Sequence, residues 1–143
     1  MDKILVSACL VGKNCKYNGK SNFNIDIKKL EEKYEFVLIC PEVMGGLSTP
    51  RVPSEILNDK VISKEGIDVT KNFFDGAKCA LDIALKNNVK FAILKDGSPS
   101  CGSNYIYDGT FTSTKIKDMG VTAKILSSNG IKIYSEKDID LLK

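Results

Sequence analysis

Four short apolar runs recur along the chain: KILVSA (residues 3–8), EFVLIC (35–40), KFAILK (90–95) and IKIYS (131–135). Each is too brief for a buried helix and is built mainly of branched or aromatic residues, so each reads as a strand covered on both faces. Helix-length segments separate most of them. Strands of this kind pair in parallel when the intervening helices cross back over the sheet. The pattern therefore predicts an α/β fold, a single-domain layer sandwich with a mostly parallel, Rossmann-like sheet.

The segments between the runs fit that frame. IDIKKLEEKY (25–34) sets Ile27, Leu30 and Tyr34 at helical spacing between charges. DVTKNFFDGAKCALDIALKNN (68–88) is the clearest helix, with Thr70 as the expected N-cap and Phe73, Ala77, Ala80, Leu81 and Ala84 along one face. A further helix is expected from about Gly120 to Ser128, stopped at Gly130, and EKDIDLLK (136–143) as a short terminal one. DKVISKEG (59–66) suggests a small hairpin, whereas TPRVPSEI (49–56) carries too much proline for regular structure. No repeat, low-complexity tract or linker interrupts the 143 residues, which suffice for one core, so residues 1–143 read as one domain.

Three cysteines fall at or just past strand ends: Cys9, Cys40 and Cys101, each with glycine soon after. Ligands of an open parallel sheet collect beyond the carboxyl ends of its strands, so these thiols are expected at one edge. The amino terminus lacks the pattern of a signal peptide and no run reaches membrane-spanning length, which points to a cytoplasmic protein. There, an odd count of five cysteines speaks for metal binding, thiolate chemistry or plain burial rather than a disulfide set. Histidine is absent, which removes the usual zinc partner and the usual general base. Proton transfer falls to Glu, Asp, Lys, Tyr, Cys or water. Soft sulfur donors select zinc, copper(I) or iron–sulfur clusters, and without a C-x-x-C pair a four-ligand structural zinc site fits poorly. On spacing alone, a three-cysteine iron–sulfur cluster and three unligated thiols both stand. The formal charge of +3 is scattered among acids, as in KKLEEKYE, so no nucleic-acid partner and no membrane surface is expected.

The stretches SACLVGKNCKYNG, CPEVMGGLSTPRVP, GIDVT, LKDGSPSCGSNYIYDGTF and GVTAKIL, in this order, resemble the thiouracil desulfurase (TudS) family, long catalogued only as a domain of unknown function. The resemblance spans Ile4 to about Glu136. It implies an enzyme that converts a small thiolated pyrimidine such as 2-thiouracil to uracil and sulfide, using an oxygen-sensitive 4Fe-4S cluster. By motif, Cys9, Cys40 and Cys101 would ligate the cluster, leaving one iron open to the substrate sulfur. Glu42 would serve acid–base work and Ser98 substrate positioning, with Ser100 as support. Replacing C=S by C=O is formally a hydrolysis and needs no electron donor.

Cys15 is placed near the site but outside the ligand set, and Cys79, beside Asp75 and Asp82 on its helix, as a bystander. Arg51, the only arginine, reads equally as an anion or carbonyl binder and as an ion pair to Glu55 or another nearby acid. Tyr105, Tyr107 and Phe111 fit core packing more readily than stacking on a flat heterocycle. Two other functions stay in view. One is a non-catalytic zinc-binding or thiol redox module using Cys9 and Cys15; the other keeps the cluster but acts on a thiolated base within tRNA. The physiological substrate and the oligomeric state do not follow from the sequence.

Overall fold

In the computed structural model, which describes residues 1–143, the chain runs β1 (Asp2–Ser7), α1 (Ile25–Lys29), β2 (Tyr34–Ile39), α2 (Pro41–Met44), β3 (Ser54–Leu57), β4 (Lys60–Ser63), α3 (Thr70–Lys86), β5 (Phe91–Leu94), β6 (Ile106–Tyr107), β7 (Lys115–Ile116), α4 (Val121–Ser128) and β8 (Lys132–Ser135). Short 3-10 segments occupy Ala8–Val11, Leu30–Glu32 and Glu136–Leu141, the last kinked at Asp138. The four apolar runs form one sheet, ordered β2-β1-β5-β8 and parallel throughout.

Side-chain alternation explains the layers. Ile4 and Val6 of β1 and Ile93 of β5 point to one face, where Ile27 and Leu30 from the α1 region and Leu142 cover them. Leu5, Ala92 and Leu94 point to the other, against Ala80 and Ala84 of α3 and Ala123 and Leu126 of α4. The strand order changes direction at β1, and right-handed crossovers then require helices on opposite faces before and after the change. That change of direction opens a crevice between β1 and β5.

Several expectations shift. Thr70 is not the N-cap but the first residue of α3, following Val69. Val69 is the N-cap and offers no side-chain cap; one residue earlier Asp68 Oδ1 accepts the Thr70 N–H at 2.9 Å, while Thr70 Oγ1 accepts the Val61 N–H at 2.9 Å and ties α3 to the hairpin. The proline-rich segment was expected to be irregular, yet its end forms β3, which pairs with β4 because both its prolines precede the ladder. The terminal helix is a 3-10 turn, and the two-residue pair β6–β7 is too short to announce itself by periodicity.

The contact between α2 and α3 fixes the start of the site. A Cβ on Gly76 of α3 would lie 1.9 Å from the Pro41 carbonyl oxygen, and one on Gly45 would lie 1.9 Å from the Asn72 oxygen. Two glycines thus let the backbones touch, and they seat Pro41, between Cys40 and Glu42, directly on the long helix.

Candidate functional site

Beyond the carboxyl ends of β1, β2 and β5 lies a cavity of about 460 Å³ lined by Cys9, Cys15, Cys40, Cys101, Glu42, Arg51, Ser98 and Ser100, among others. Its volume is in the range of small-molecule sites. Each strand delivers one of the three cysteines by a different local device. Cys9 sits in the 3-10 turn after β1, which ends at Gly12 with φ of 98°, a conformation that favours glycine. Cys40 is the extended residue before α2, where Pro41 starts the helix. Cys101 lies in the loop after β5, and all five cysteines are free thiols.

That loop is organised by Asp96, a residue to which the sequence reading gave no role. Asp96 is 2% exposed. Its Oδ1 accepts backbone N–H groups of Gly97, Ser103, Asn104 and Tyr105 at 3.0–3.3 Å, and its Oδ2 accepts the Asn104 amide at 2.9 Å. Burial pushes the Asp96 carboxyl up, but the hydrogen bonds from Asn104, Tyr105 and Gly97 outweigh it and hold the group below the ordinary carboxylate range. The other end of the loop rests on α4. The carbonyls of Pro99 and Ser100 accept N–H groups of Val121, Thr122 and Ala123 at 2.9–3.1 Å, and so satisfy donors that a helix start leaves open.

Ser98 Oγ accepts the N–H groups of Ser100 and Cys101, both at 3.1 Å, and so shapes the turn that presents Cys101. Ser100 Oγ donates to Glu42 Oε2 at 3.2 Å and lies 3.0 Å from Ser98 Oγ and 3.6 Å from Cys101 Sγ. A continuous polar path therefore joins Glu42, Ser100, Ser98 and the Cys101 sulfur. Arg51 completes it: the nearby acid it pairs with is Glu42, not Glu55, with Nε 3.0 Å from Oε1. Glu55 instead accepts the Gly109 and Phe111 N–H groups at 3.0 and 3.2 Å, holding the loop that brings Phe111 to the cavity.

The thiols differ in their surroundings. Burial pushes Cys101 up to about 12, against hydrogen bonds from Ser7 and Ser100. Burial also raises Cys9, although the Asn22 amide, 3.4 Å from its sulfur, and the Lys95 charge pull the other way. Cys40 is lowered, chiefly by the neighbouring Cys15 side chain and with help from the Val43 N–H and Arg51, while its own Sγ lies 3.7 Å from the Cys15 carbonyl oxygen. Cys15 is raised, chiefly by the same neighbour, Cys40. The hydrogen-bond partner of Cys15 is thus Cys40, whereas the alternative redox module would pair it with Cys9. Lys95 also lines the cavity. Burial lowers it, but Glu136 at 3.0 Å more than compensates and raises it above an ordinary lysine.

Cys79 sits half-buried on α3 and does not line the cavity, as the sequence suggested. Tyr107 and Phe111 line it, whereas Tyr105 packs over Gly97, where a Cβ would meet its ring oxygen at 2.8 Å. Asn22, Asp96 and Lys95 escaped the sequence reading. For Asp96 a signal existed, because Asp-Gly after a strand marks a turn in which the carboxylate bonds the following backbone. No helix is long and apolar enough to cross a membrane.

A family model described as 2-thiouracil desulfurase matches residues 4–138. The uncharacterized protein YbbK of Bacillus subtilis (strain 168) is 42% identical over 147 residues, which cover 96% of this chain and 97% of that one. A solved structure of the 4Fe-4S-dependent thiouracil desulfidase TudS is similar with a TM-score of 0.94 at 40% identity, covering 99% of this chain and 95% of that chain.

Proposed function

The chain belongs to the 2-thiouracil desulfurase family, and from that premise we propose that it converts a small thiolated pyrimidine such as 2-thiouracil to uracil and sulfide with a 4Fe-4S cluster held by Cys9, Cys40 and Cys101. The observation that carries the reading is the delivery of three free thiols from three separate strand ends to one cavity. The donor set fits such a cluster. Thiolates are its usual ligands, and Cys9, Cys40 and Cys101 would supply three of them.

When bound, a cluster with one iron free of protein ligands supplies a Lewis acid for the thiocarbonyl sulfur. Glu42 takes the proton of the attacking water. The water oxygen bonds to the ring carbon; as the C–S bond breaks, the proton held by Glu42 passes to the sulfur, which leaves as hydrosulfide, and the remaining hydroxyl proton is lost to solvent as the C=O bond forms, with no change in overall oxidation state. Ser100 holds Glu42 Oε2 from one side, and Ser98 keeps the turn that presents Cys101 and orients the substrate at the cavity wall. Tyr107 and Phe111 border the space a flat ring would fill.

Anaerobic reconstitution followed by a 2-thiouracil assay for uracil and sulfide tests the reading. Wild-type protein is expected to bind close to four irons and to turn over, and Cys9→Ala, Cys40→Ala and Cys101→Ala to lose both properties. Cys15→Ala should keep them. Glu42→Gln should keep its iron and lose about 10²- to 10⁴-fold in kcat, the usual contribution of a general base. Wild-type protein that takes up no iron would end the proposal.

A further inference from the structure

Arg51 is 9% exposed at its side chain and Glu42 15%, yet the ion pair between them borders the reaction cavity. Its guanidinium has little left for a substrate. Nε serves Glu42 Oε1 at 3.0 Å, Nη2 serves the Cys15 carbonyl at 3.0 Å, and Nη1 serves the Ser48 carbonyl at 3.1 Å and Thr49 Oγ1 at 3.0 Å. These partners sit on three different segments. The planar fork therefore fixes direction as well as charge, which a lysine's single ammonium would not do.

The two oxygens of Glu42 are thereby given different tasks. Oε1 is turned to Arg51, and Oε2 faces Ser100, the residue beside Cys101. We propose that Arg51 is a positioning residue: it holds the Glu42 carboxylate with only Oε2 directed to the reacting atoms, and it locks the Cys15 segment to the same carboxylate. The inference rests on the proposed desulfurase reading, with Glu42 as the base. Of the two readings that the sequence left equal, substrate binding and an ion pair, it takes the ion pair and gives it the task of orienting Glu42.

A double-mutant cycle tests it, with wild type, Glu42→Gln, Arg51→Gln and the double variant, plus Arg51→Lys. Iron and acid-labile sulfide per chain, kcat and KM for 2-thiouracil, and thermal midpoints of the cluster-free proteins are measured for each. Arg51→Gln is expected to keep its cluster and its KM while kcat falls by about 10-fold or more, as expected for a misaligned base. In the Glu42→Gln background the same change should cost no further activity, because Arg51 acts through Glu42. Arg51→Lys should recover part of kcat.

A raised KM at unchanged kcat would make Arg51 a substrate binder and overturn the proposal. So would losses that multiply in the double variant, or loss of the cluster with Arg51→Gln alone. If every protein carries four irons and none releases sulfide, the desulfurase reading fails by itself. The thermal midpoints then still decide whether Arg51 holds Glu42: a shift in the double variant smaller than the two single shifts combined supports it, and additive shifts overturn it.

Discussion

Cys40 and Cys15 lie side by side with their acidities pushed apart, the Cys40 thiol lowered and the Cys15 thiol raised, so Cys40 is the more acidic of the two. In cluster-free protein Cys40 should therefore be the first cysteine alkylated by iodoacetamide, with a rate that rises at a lower pH than that of an ordinary thiol. Cys101, pushed up to about 12 by burial, should be nearly inert. Cys15→Ala removes the largest cause of the shift, so the Cys40 midpoint should move upward. A Cys40 rate that climbs only above pH 8, as for an ordinary thiol, would contradict the assignment. At this scale the sequence is informative about identity and poor about partners. Cys9, Cys40 and Cys101 announce themselves by standing after apolar runs, and Glu42 by standing two residues from one of them. That Cys15 bonds Cys40 and that Arg51 bonds Glu42 depends on a fold-back of the chain that no local spacing encodes.

Elements carry the next constraint. The α2–α3 crossing tolerates no side chain at Gly76, where an added Cβ would meet backbone rather than a movable side chain. Gly76→Ala would gain about 1 kcal/mol of helix propensity. Forced separation of packed elements costs about 1–3 kcal/mol, so the net effect should be destabilising. Because Pro41 is the atom donor to that clash, the displacement reaches Cys40 and Glu42, and iron uptake should fall along with the unfolding midpoint. The loop after β5 makes a second prediction. The Asp96 carboxyl is held below its ordinary value, so its contribution to stability is complete above the unfolded pKa of about 3.9 and is lost as pH falls through the folded value. Asp96→Asn should lower the urea midpoint at neutral pH and flatten the loss of stability on acidification below about pH 4. An unchanged acid limb would show that Asp96 does not hold the loop. The four sheet strands are legible as apolar runs, and α3 and α4 because their periodicity spans enough residues, whereas the helix expected over 25–34 ends at Lys29 and Tyr34 already opens β2. The pair β6–β7 and the start of α3 are not legible, since two-residue ladders have no period and α3 starts at Thr70 after Val69, an N-cap whose apolar side chain gives no capping signal.

For the whole molecule, parallel pairing and the change of direction at β1 do most to make a site, because they bring residues 9, 40 and 101 to one edge from distant parts of the chain. That much follows from strand order and the rule for ligand placement in open sheets. The docking of the Pro99–Ser100 carbonyls onto the first turn of α4 adds a consequence of a different kind. The amide hydrogens of Val121, Thr122 and Ala123 are bonded to the loop that carries Cys101 and not to their own helix, so their exchange with deuterium reports on the loop's opening. When the cavity is filled, those three amides should slow while the middle of α3 keeps its rate. A few backbone protons on the far side of the sheet edge would then serve as a spectator gauge of occupancy, readable with no substrate turned over.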